Sequence, residues 1–297
     1  MNEYQDTLPF PLQVYIETTN VCNLHCSGCP RDVLRLEQEG NYTEHRHLTR
    51  EEYSGLIGQI AAESSCDRPI RLKLFFMDEP LAHKDVAWQV ALAKSHPGLS
   101  VNITTNGSLL RQDKAQALIE AGIDELAISV DAVSPDLYER VRGGGNNSLG
   151  RIIDNIYGTV KIRNSLGAQT RIYVTMVAHP GEDWERQYEA LQVMWGHLVD
   201  FVAYRPFSEY RGDPRPPLPG FCCSEPFERM FLRADGAASL CTEDVRPDMV
   251  VGDWRNQSLR DIWEGAAYQR IRHLHKSGRY HEIDLCSRCH VPFDTED

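Results

Sequence analysis

Three cysteines stand close together in Cys22-Asn-Leu-His-Cys26-Ser-Gly-Cys29-Pro, at spacings of four and three. Thiolates so placed on a single loop can ligate three irons of a cubane cluster and leave the fourth iron open to an outside ligand. A structural zinc ion is the competing use, and it wants four protein ligands, with His25 as the candidate fourth. A second set lies far along the chain: Cys223, Cys241 and the pair Cys286-Ser-Arg-Cys289. Four thiolates can occupy every iron of a cubane, which closes it to substrate and suits it to electron transfer. A zinc ribbon stapling a small unit is the alternative. Cys66 and Cys222 fall outside both sets, Cys222 either as an out-of-register ligand or as a hydrogen-atom donor. Glu17, Glu209 and Glu243 are carboxylates that could meet substrate hydroxyl or ammonium groups, held ionised by a neighbouring arginine.

Groups of this kind need a scaffold, and the sequence predicts one. Short β-branched or aromatic runs alternate with longer amphipathic stretches from Leu12 to about Arg205, the pattern of repeated βα units. The strand candidates are Leu12 to Thr18, Ile70 to Phe76, Ser100 to Thr105, Glu125 to Val130, Arg171 to Val177 and Phe201 to Arg205. Helical patterns lie between them, as in Arg111 to Ala121 and in Leu149 to Ile162, where Leu149, Ile152, Ile153, Ile156 and Val160 recur at spacings of three and four and Ser148 is the expected N-cap. Crossover helices require parallel strands, which form either an open doubly wound sheet or most of a barrel. The first cysteine loop then falls at the carboxyl end of the first strand, where such folds gather catalytic groups. Past Phe207, a stretch rich in Pro and Gly from Gly212 to Gly220 can be neither helix nor central strand, and the domain boundary is placed there, giving 1–213 and 214–297. Beyond it, Arg229 to Arg233 and Ala237 to Leu240 flank the turn pair Asp235-Gly236, and Ser258 to Leu274 reads as one helix.

The chain has 297 residues, with 43 acidic against 31 basic side chains and a net charge of −12, so it lacks the clustered positive charge that a nucleic-acid partner requires. The first residues show neither a basic leader nor an apolar run, and no stretch reaches the ~18 apolar residues of a membrane span. A soluble, cytoplasmic protein with no membrane or nucleic-acid partner is expected. In a reducing compartment nine cysteines at short spacings point to metal or redox groups rather than disulfides.

The Cys22-Cys26-Cys29 loop resembles that of the radical S-adenosylmethionine enzymes, whose [4Fe-4S] cluster binds the amino and carboxylate groups of the cofactor. Met77-Asp78-Glu79-Pro80 resembles the family's Gly-Gly-Glu-Pro segment, which receives the cofactor ammonium largely through backbone carbonyls, with Asp78 in place of a usual Gly. Thr104-Thr105-Asn106-Gly107 ends the third strand as the family's Thr-Asn-Gly does. Ser129-Val130-Asp131 and the run from Tyr138 to Arg142-Gly143 are similar to the segments that follow, implying ribose contacts from Ser129 or Asp131 and a carboxylate contact from Arg142. Gly28 stands where the family often has an aromatic residue near the adenine, so that packing must come from elsewhere. The second cysteine set, with Gly252-Asp253, Leu259 to Trp263 and Arg272, resembles the SPASM and Twitch auxiliary-cluster domains. Its four cysteines, Cys223, Cys241, Cys286 and Cys289, imply one auxiliary cluster, as in the shorter Twitch type.

The resemblance implies an α/β fold: a partial (β/α)6 TIM-like barrel followed by a small C-terminal Twitch/SPASM-type iron–sulfur domain. The cofactors it implies are S-adenosyl-L-methionine and two [4Fe-4S] clusters, with a flavodoxin or ferredoxin type of reductant. Within the family, the chain is similar to the 2-deoxy-scyllo-inosamine dehydrogenase group of aminocyclitol dehydrogenases in antibiotic biosynthesis. This implies oxidation of an aminocyclitol or aminosugar alcohol to a ketone after hydrogen abstraction by a 5′-deoxyadenosyl radical, with one electron passing to the auxiliary cluster. Arg211 and Glu243 match positions that touch substrate, and Thr242 stands where some relatives carry a second cysteine, which tilts the balance toward oxidation. Epimerisation of a carbohydrate, maturation of a ribosomal peptide and a non-catalytic zinc-stabilised binding protein are the alternatives. With the first strand beginning near Leu12, no room is left for the leader-binding module that peptide maturases often carry.

Overall fold

The computed structural model describes residues 8–31, 45–145, 148–207, 220–246 and 248–291. Six strands pair in parallel: β1 (Gln13–Ile16), β2 (Ile70–Lys73), β3 (Leu99–Thr105), β4 (Glu125–Ser129), β5 (Arg171–Ala178) and β6 (Phe201–Pro206), each beside its neighbour in sequence. Alternate residues explain the pairing. Val14 and Ile16, Ile70 and Leu72, Val101 and Ile103, and Ile172 and Val174 are all sealed from solvent, as two-residue periodicity requires. Among the described residues the sheet does not close on itself, because β6 pairs there only with β5. The architecture is a partial barrel.

The crossover helices bury the faces the sequence assigns to them. Helix α1 (Arg50–Ala62) starts at a capping box in which Thr49 accepts from the Glu52 N–H and the Glu52 carboxylate accepts from the Thr49 N–H, at 3.1 and 2.9 Å. The chain continues through α2 (Val86–Lys94), α3 (Gln112–Glu120) and α4 (Pro135–Arg142), the last capped by the Ser134 hydroxyl. Helix α5 (Ser148–Leu166) buries Leu149, Ile152, Ile156 and Val160, as the spacing predicts. Ser148 is its first helical residue rather than its cap. Helix α6 (Trp184–Trp195) completes the array.

The tail extends the same sheet. After a short helix, α7 (Glu225–Glu228), strand β7 (Arg229–Leu232) runs parallel to β1, with Val14 opposite Met230. β8 (Ala237–Ser239) returns antiparallel across the Asp235-Gly236 turn, and β9 (Val250–Asp253) follows it. One nine-stranded sheet results, in the order β6-β5-β4-β3-β2-β1-β7-β8-β9. The physical reason is the free edge of β1, which offers unpaired backbone groups and apolar partners. Tyr15 stacks on Phe231 there at 4.4 Å between ring centres. The proposed division at 213/214 lies outside the described residues, and the sheet is continuous across it.

The helix expected over Ser258 to Leu274 is two helices, α8 (Leu259–Trp263) and α9 (Ala266–Lys276), separated at Gly265. Gly265 takes the extended conformation of an N-cap, which ends the first helical ladder and starts the second. Arg272 of α9 is buried against the Trp263 and Tyr268 rings at 4.0 and 4.7 Å, and it donates to the carbonyls of Pro226 and Trp263, joining α7, α8 and α9. A last short helix, α10 (Asp284–Ser287), carries Cys286. No helix among the described residues is long and apolar enough to cross a membrane.

Candidate active site

The loop after β1 is fastened on two sides. The Ser27 N–H donates to Val141 O at the end of α4, and the Glu79 N–H donates to Val21 O. Gly28 has φ +75°, and a Cβ there would lie 2.6 Å from the Phe207 ring, so only glycine admits this approach. Phe207 thus occupies the space beside the third cysteine that an aromatic residue at position 28 would claim.

Cys22, Cys26 and Cys29 line one side of a cavity of about 450 Å³ whose walls also include Tyr15, Phe76, Asp78, Ser129, Tyr204 and Thr242. Burial pushes the Cys22 thiol up to about 12, and burial raises Cys26 as well, only partly countered by the Arg142 guanidinium. Buried sulfurs of this kind become thiolates only beside a strong positive charge, which bound iron supplies. The donor set therefore fits a cluster with an open corner.

Glu79 organises the ends of β2 and β3. Its Oε1 accepts from the Thr105 hydroxyl at 2.6 Å and from the Leu81 N–H at 3.0 Å, while its Oε2 accepts from the Asn106 N–H at 2.7 Å. Burial raises its pKa, and these three donors work against that rise. Asn106 extends the network by donating to Asn23 Oδ1 at 3.0 Å, with the Cys22 sulfur 4.0 Å away. Pro80 opens the following turn of 3-10 helix, and Gly107, at φ +74°, passes so close that a Cβ would lie 2.8 Å from Ile128. These residues hold the cysteine loop and the cavity wall in one frame.

Arg142 and Asp131 form a second fixed point. The Arg142 Nε lies 2.7 Å from Asp131 Oδ2, and its Nη1 is 3.9 Å from the Cys26 sulfur. His179 and the Val177 N–H also engage Asp131. Burial works to raise the Asp131 pKa, but the Arg142 charge, then His179 and the N–H donor, prevail and hold it at about 2. That group contributes stability above the ordinary aspartate range of about 3.9, and the contribution is lost as pH falls through 2. Removing the guanidinium with Arg142→Ala strands a buried carboxylate and should cost about 3–5 kcal/mol. Chemical denaturation at pH 7 measures this, and the difference between variant and parent should shrink as the solution is acidified toward pH 2.

Of the other expected site residues, Ser129 faces the cavity with its hydroxyl 3.5 Å from that of Thr175. Glu17 is not a lining residue. It is 2% exposed and accepts from the Ala234 N–H at 2.9 Å. Glu243 also points away from this cavity, toward a small recess beside Cys289, where its Oε2 is 3.5 Å from His290 Nδ1. Pairing of β1 with β7 draws Glu17 into their junction, and the loop after β8 carries Glu243 toward the cysteine-rich end. Glu209 and Arg211 lie outside the described residues. Residues with no sequence signal of a site role also emerge, notably Tyr204, His179 and Phe207, because their strands and loops converge only in the fold.

Cys223 precedes α7, Cys241 follows β8, and Cys286 and Cys289 lie on and after α10. Burial raises Cys223, Cys241 and Cys286, the last to about 12, and each is raised further by neighbouring cysteines of the set. Four sulfurs that feel one another across buried space suit a cluster closed by protein ligands. Among the described residues no three Cys, His, Asp or Glu side chains come together as a site for a single metal ion.

Residues 16–193 match the family model described as the Radical SAM superfamily. The chain belongs to the radical SAM superfamily. Membership carries S-adenosylmethionine and a [4Fe-4S] cluster, as the cysteine loop led us to expect. Residues 222–290 match SPASM, an iron-sulfur cluster-binding domain, and this span contains the whole second cysteine set. Among radical SAM proteins, the S-adenosyl-L-methionine-dependent 2-deoxy-scyllo-inosamine dehydrogenase of Niallia circulans is 23% identical over 286 residues, covering 96% of this chain and 95% of the relative. The GTP 3',8-cyclase of Alkaliphilus metalliredigens is 27% identical over 200 residues, and the match spans only 57% of that cyclase. The crystal structure of BtrN in complex with AdoMet and 2-DOIA superposes with a TM-score of 0.61 at 21% identity, over 95% of this chain and 93% of BtrN, and thereby shares the fold.

Proposed function

We propose that this radical SAM protein is a dehydrogenase that converts a secondary alcohol of an aminocyclitol or aminosugar into a ketone. The observation that carries the reading is one cavity walled on one side by Cys22, Cys26 and Cys29 and on another by Thr242, the neighbour of Cys241. A substrate held there lies between the two cysteine sets. The near end-to-end match to a dehydrogenase supports the same conclusion. We assign Cys22, Cys26 and Cys29 to the first cluster, and Cys223, Cys241, Cys286 and Cys289 to the second. Around the cofactor, Asp78, Glu79, Pro80, Thr105, Asn106, Ser129, Asp131 and Arg142 contribute contacts or hold the segments that make them. Division into 1–213 and 214–297, a cytoplasmic location and a flavodoxin or ferredoxin type of electron donor complete the proposal.

When bound, these groups supply abstraction of a hydrogen atom from an unactivated C–H bond and an acceptor for one electron. The chain's residues supply the rest. Tyr15, Phe76 and Tyr204 wall the cavity with aromatic surface that displaces water, while Ser129 and Thr242 offer hydroxyls to a polyhydroxylated ring. Loss of a hydrogen atom from the carbinol carbon leaves one proton and one electron to remove before the carbonyl forms. Asp78 lines the cavity, its Oδ1 accepts from the Phe76 N–H at 2.8 Å, and burial, with Glu17 behind it, raises its pKa well above the usual range. As a carboxylate on the cavity wall, Asp78 is placed to take the alcohol proton.

Asp78→Asn should lower ketone formed per 5′-deoxyadenosine released by about 10²–10⁴. Ketone yield per 5′-deoxyadenosine, followed by mass spectrometry, is the measurement. Equal yield from the variant would remove Asp78 from this role. Thr242, which lines the cavity, carries no thiol, which favours oxidation over return of a hydrogen atom. Turnover in deuterium oxide should place no solvent deuterium on that carbon, whereas deuterated, inverted alcohol would establish epimerisation.

A further inference from the structure

Within the cysteine-rich tail, one buried histidine has no part in the reading above. His275, in the last turn of α9, is 2% exposed. Its Nε2 lies 3.6 Å from the Cys286 sulfur, within reach of an N–H to sulfur hydrogen bond, and its Nδ1 has no hydrogen-bond partner among the described residues. Its ring lies 5.7 Å from that of Tyr280 at an interplanar angle of 12°, which fixes the plane in which Nε2 meets the sulfur.

A neutral imidazole carries one N–H. Placed on Nδ1, the proton would have no acceptor, and the Nε2 lone pair would face an electron-rich thiolate. With the proton on Nε2, the sulfur is satisfied and only a bare lone pair stays unpartnered, so the fold selects that tautomer. We propose that His275 donates a hydrogen bond to the Cys286 thiolate and thereby raises the reduction potential of the second cluster. Because the acceptor sulfur gains negative charge when an electron enters, the donor stabilises the reduced form more than the oxidised one. The inference rests on assigning Cys286 to that cluster and adds to it a positioning residue that makes the cluster a better electron acceptor.

Anaerobically reconstituted full-length protein, titrated with dithionite through redox mediators and followed by electron paramagnetic resonance, provides the test. Added S-adenosylmethionine perturbs the open-corner cluster, so the unperturbed signal reports the second one. His275→Phe should move that midpoint to more negative potential by about tenfold in the one-electron equilibrium, or ~59 mV. His275→Gln, which keeps an N–H donor, should recover part of the shift. A His275→Phe midpoint equal to the parent's, with about eight irons per chain retained, overturns the histidine's role and leaves the two-cluster assignment standing. About four irons per chain in the parent would instead defeat the underlying assignment. Should His275→Phe fail to hold its iron, pulsed resonance on the parent protein labelled with ¹⁵N-histidine decides the matter. A nitrogen coupling on the second cluster supports the proposal, and its absence overturns it.

Discussion

Cys26→Ala is expected to abolish 5′-deoxyadenosine production, with a loss beyond the ~10³-fold range that removal of a single electrostatic donor brings. The reason is one of ligand number. Three sulfurs hold the open-corner cluster, and an alanine leaves a second iron without a protein ligand. Cys26 also faces the Arg142 guanidinium, which would lose its sulfur neighbour at 3.9 Å and keep Asp131. The fold should therefore survive while the iron content falls from about eight to about four per chain. Iron and acid-labile sulfide analysis, combined with quantified 5′-deoxyadenosine, checks both halves. Retention of full iron with unchanged cofactor cleavage would place the open-corner cluster elsewhere.

Cys241→Ala is expected to separate cofactor cleavage from oxidation. Cys241 is buried, and it adjoins Thr242 on the cavity wall. Disrupting the second cluster leaves the first three cysteines and their Glu79–Asn106 frame untouched, so 5′-deoxyadenosine should still form. Ketone should fall by at least the ~10² expected when a step loses a positioned group, because the substrate's last electron has no acceptor beside it. Ketone and 5′-deoxyadenosine measured in the same reaction give the ratio. An unchanged ratio would mean that the electron leaves by another route.

Much of this was legible before any fold was seen, and the reasons are local. The spacing of Cys22, Cys26 and Cys29 is a property of one loop, and the alternation in β3 or the three-and-four spacing in α5 is a property of one element. Ser129, Asp131 and Arg142 could be singled out because their segments resemble short family motifs. What sequence could not show is where side chains point once distant segments pair. Glu17 directly follows a strand whose free edge is taken by β7, more than two hundred residues away, and this pairing seals it against Ala234. Glu243 follows Cys241 and Thr242, yet turns to His290 near the far terminus. Phe207 fills the space over Gly28 from the end of β6, a contact with no local signature. The break in the tail's long helix has no apolar signature, because the periodicity resumes after the two capping residues Glu264 and Gly265.

The central claim, that a substrate carbon between the two cysteine sets loses a hydrogen atom and then an electron, has one direct test. Anaerobically reconstituted, reduced protein would be given S-adenosylmethionine and a panel of aminocyclitols and aminosugars carrying deuterium on the carbinol carbons. For the true substrate, 5′-deoxyadenosine should carry one deuterium and appear in equal amount with a ketone at the labelled carbon. Absence of 5′-deoxyadenosine across the panel, or its release with the label still on the substrate carbon, would contradict the account.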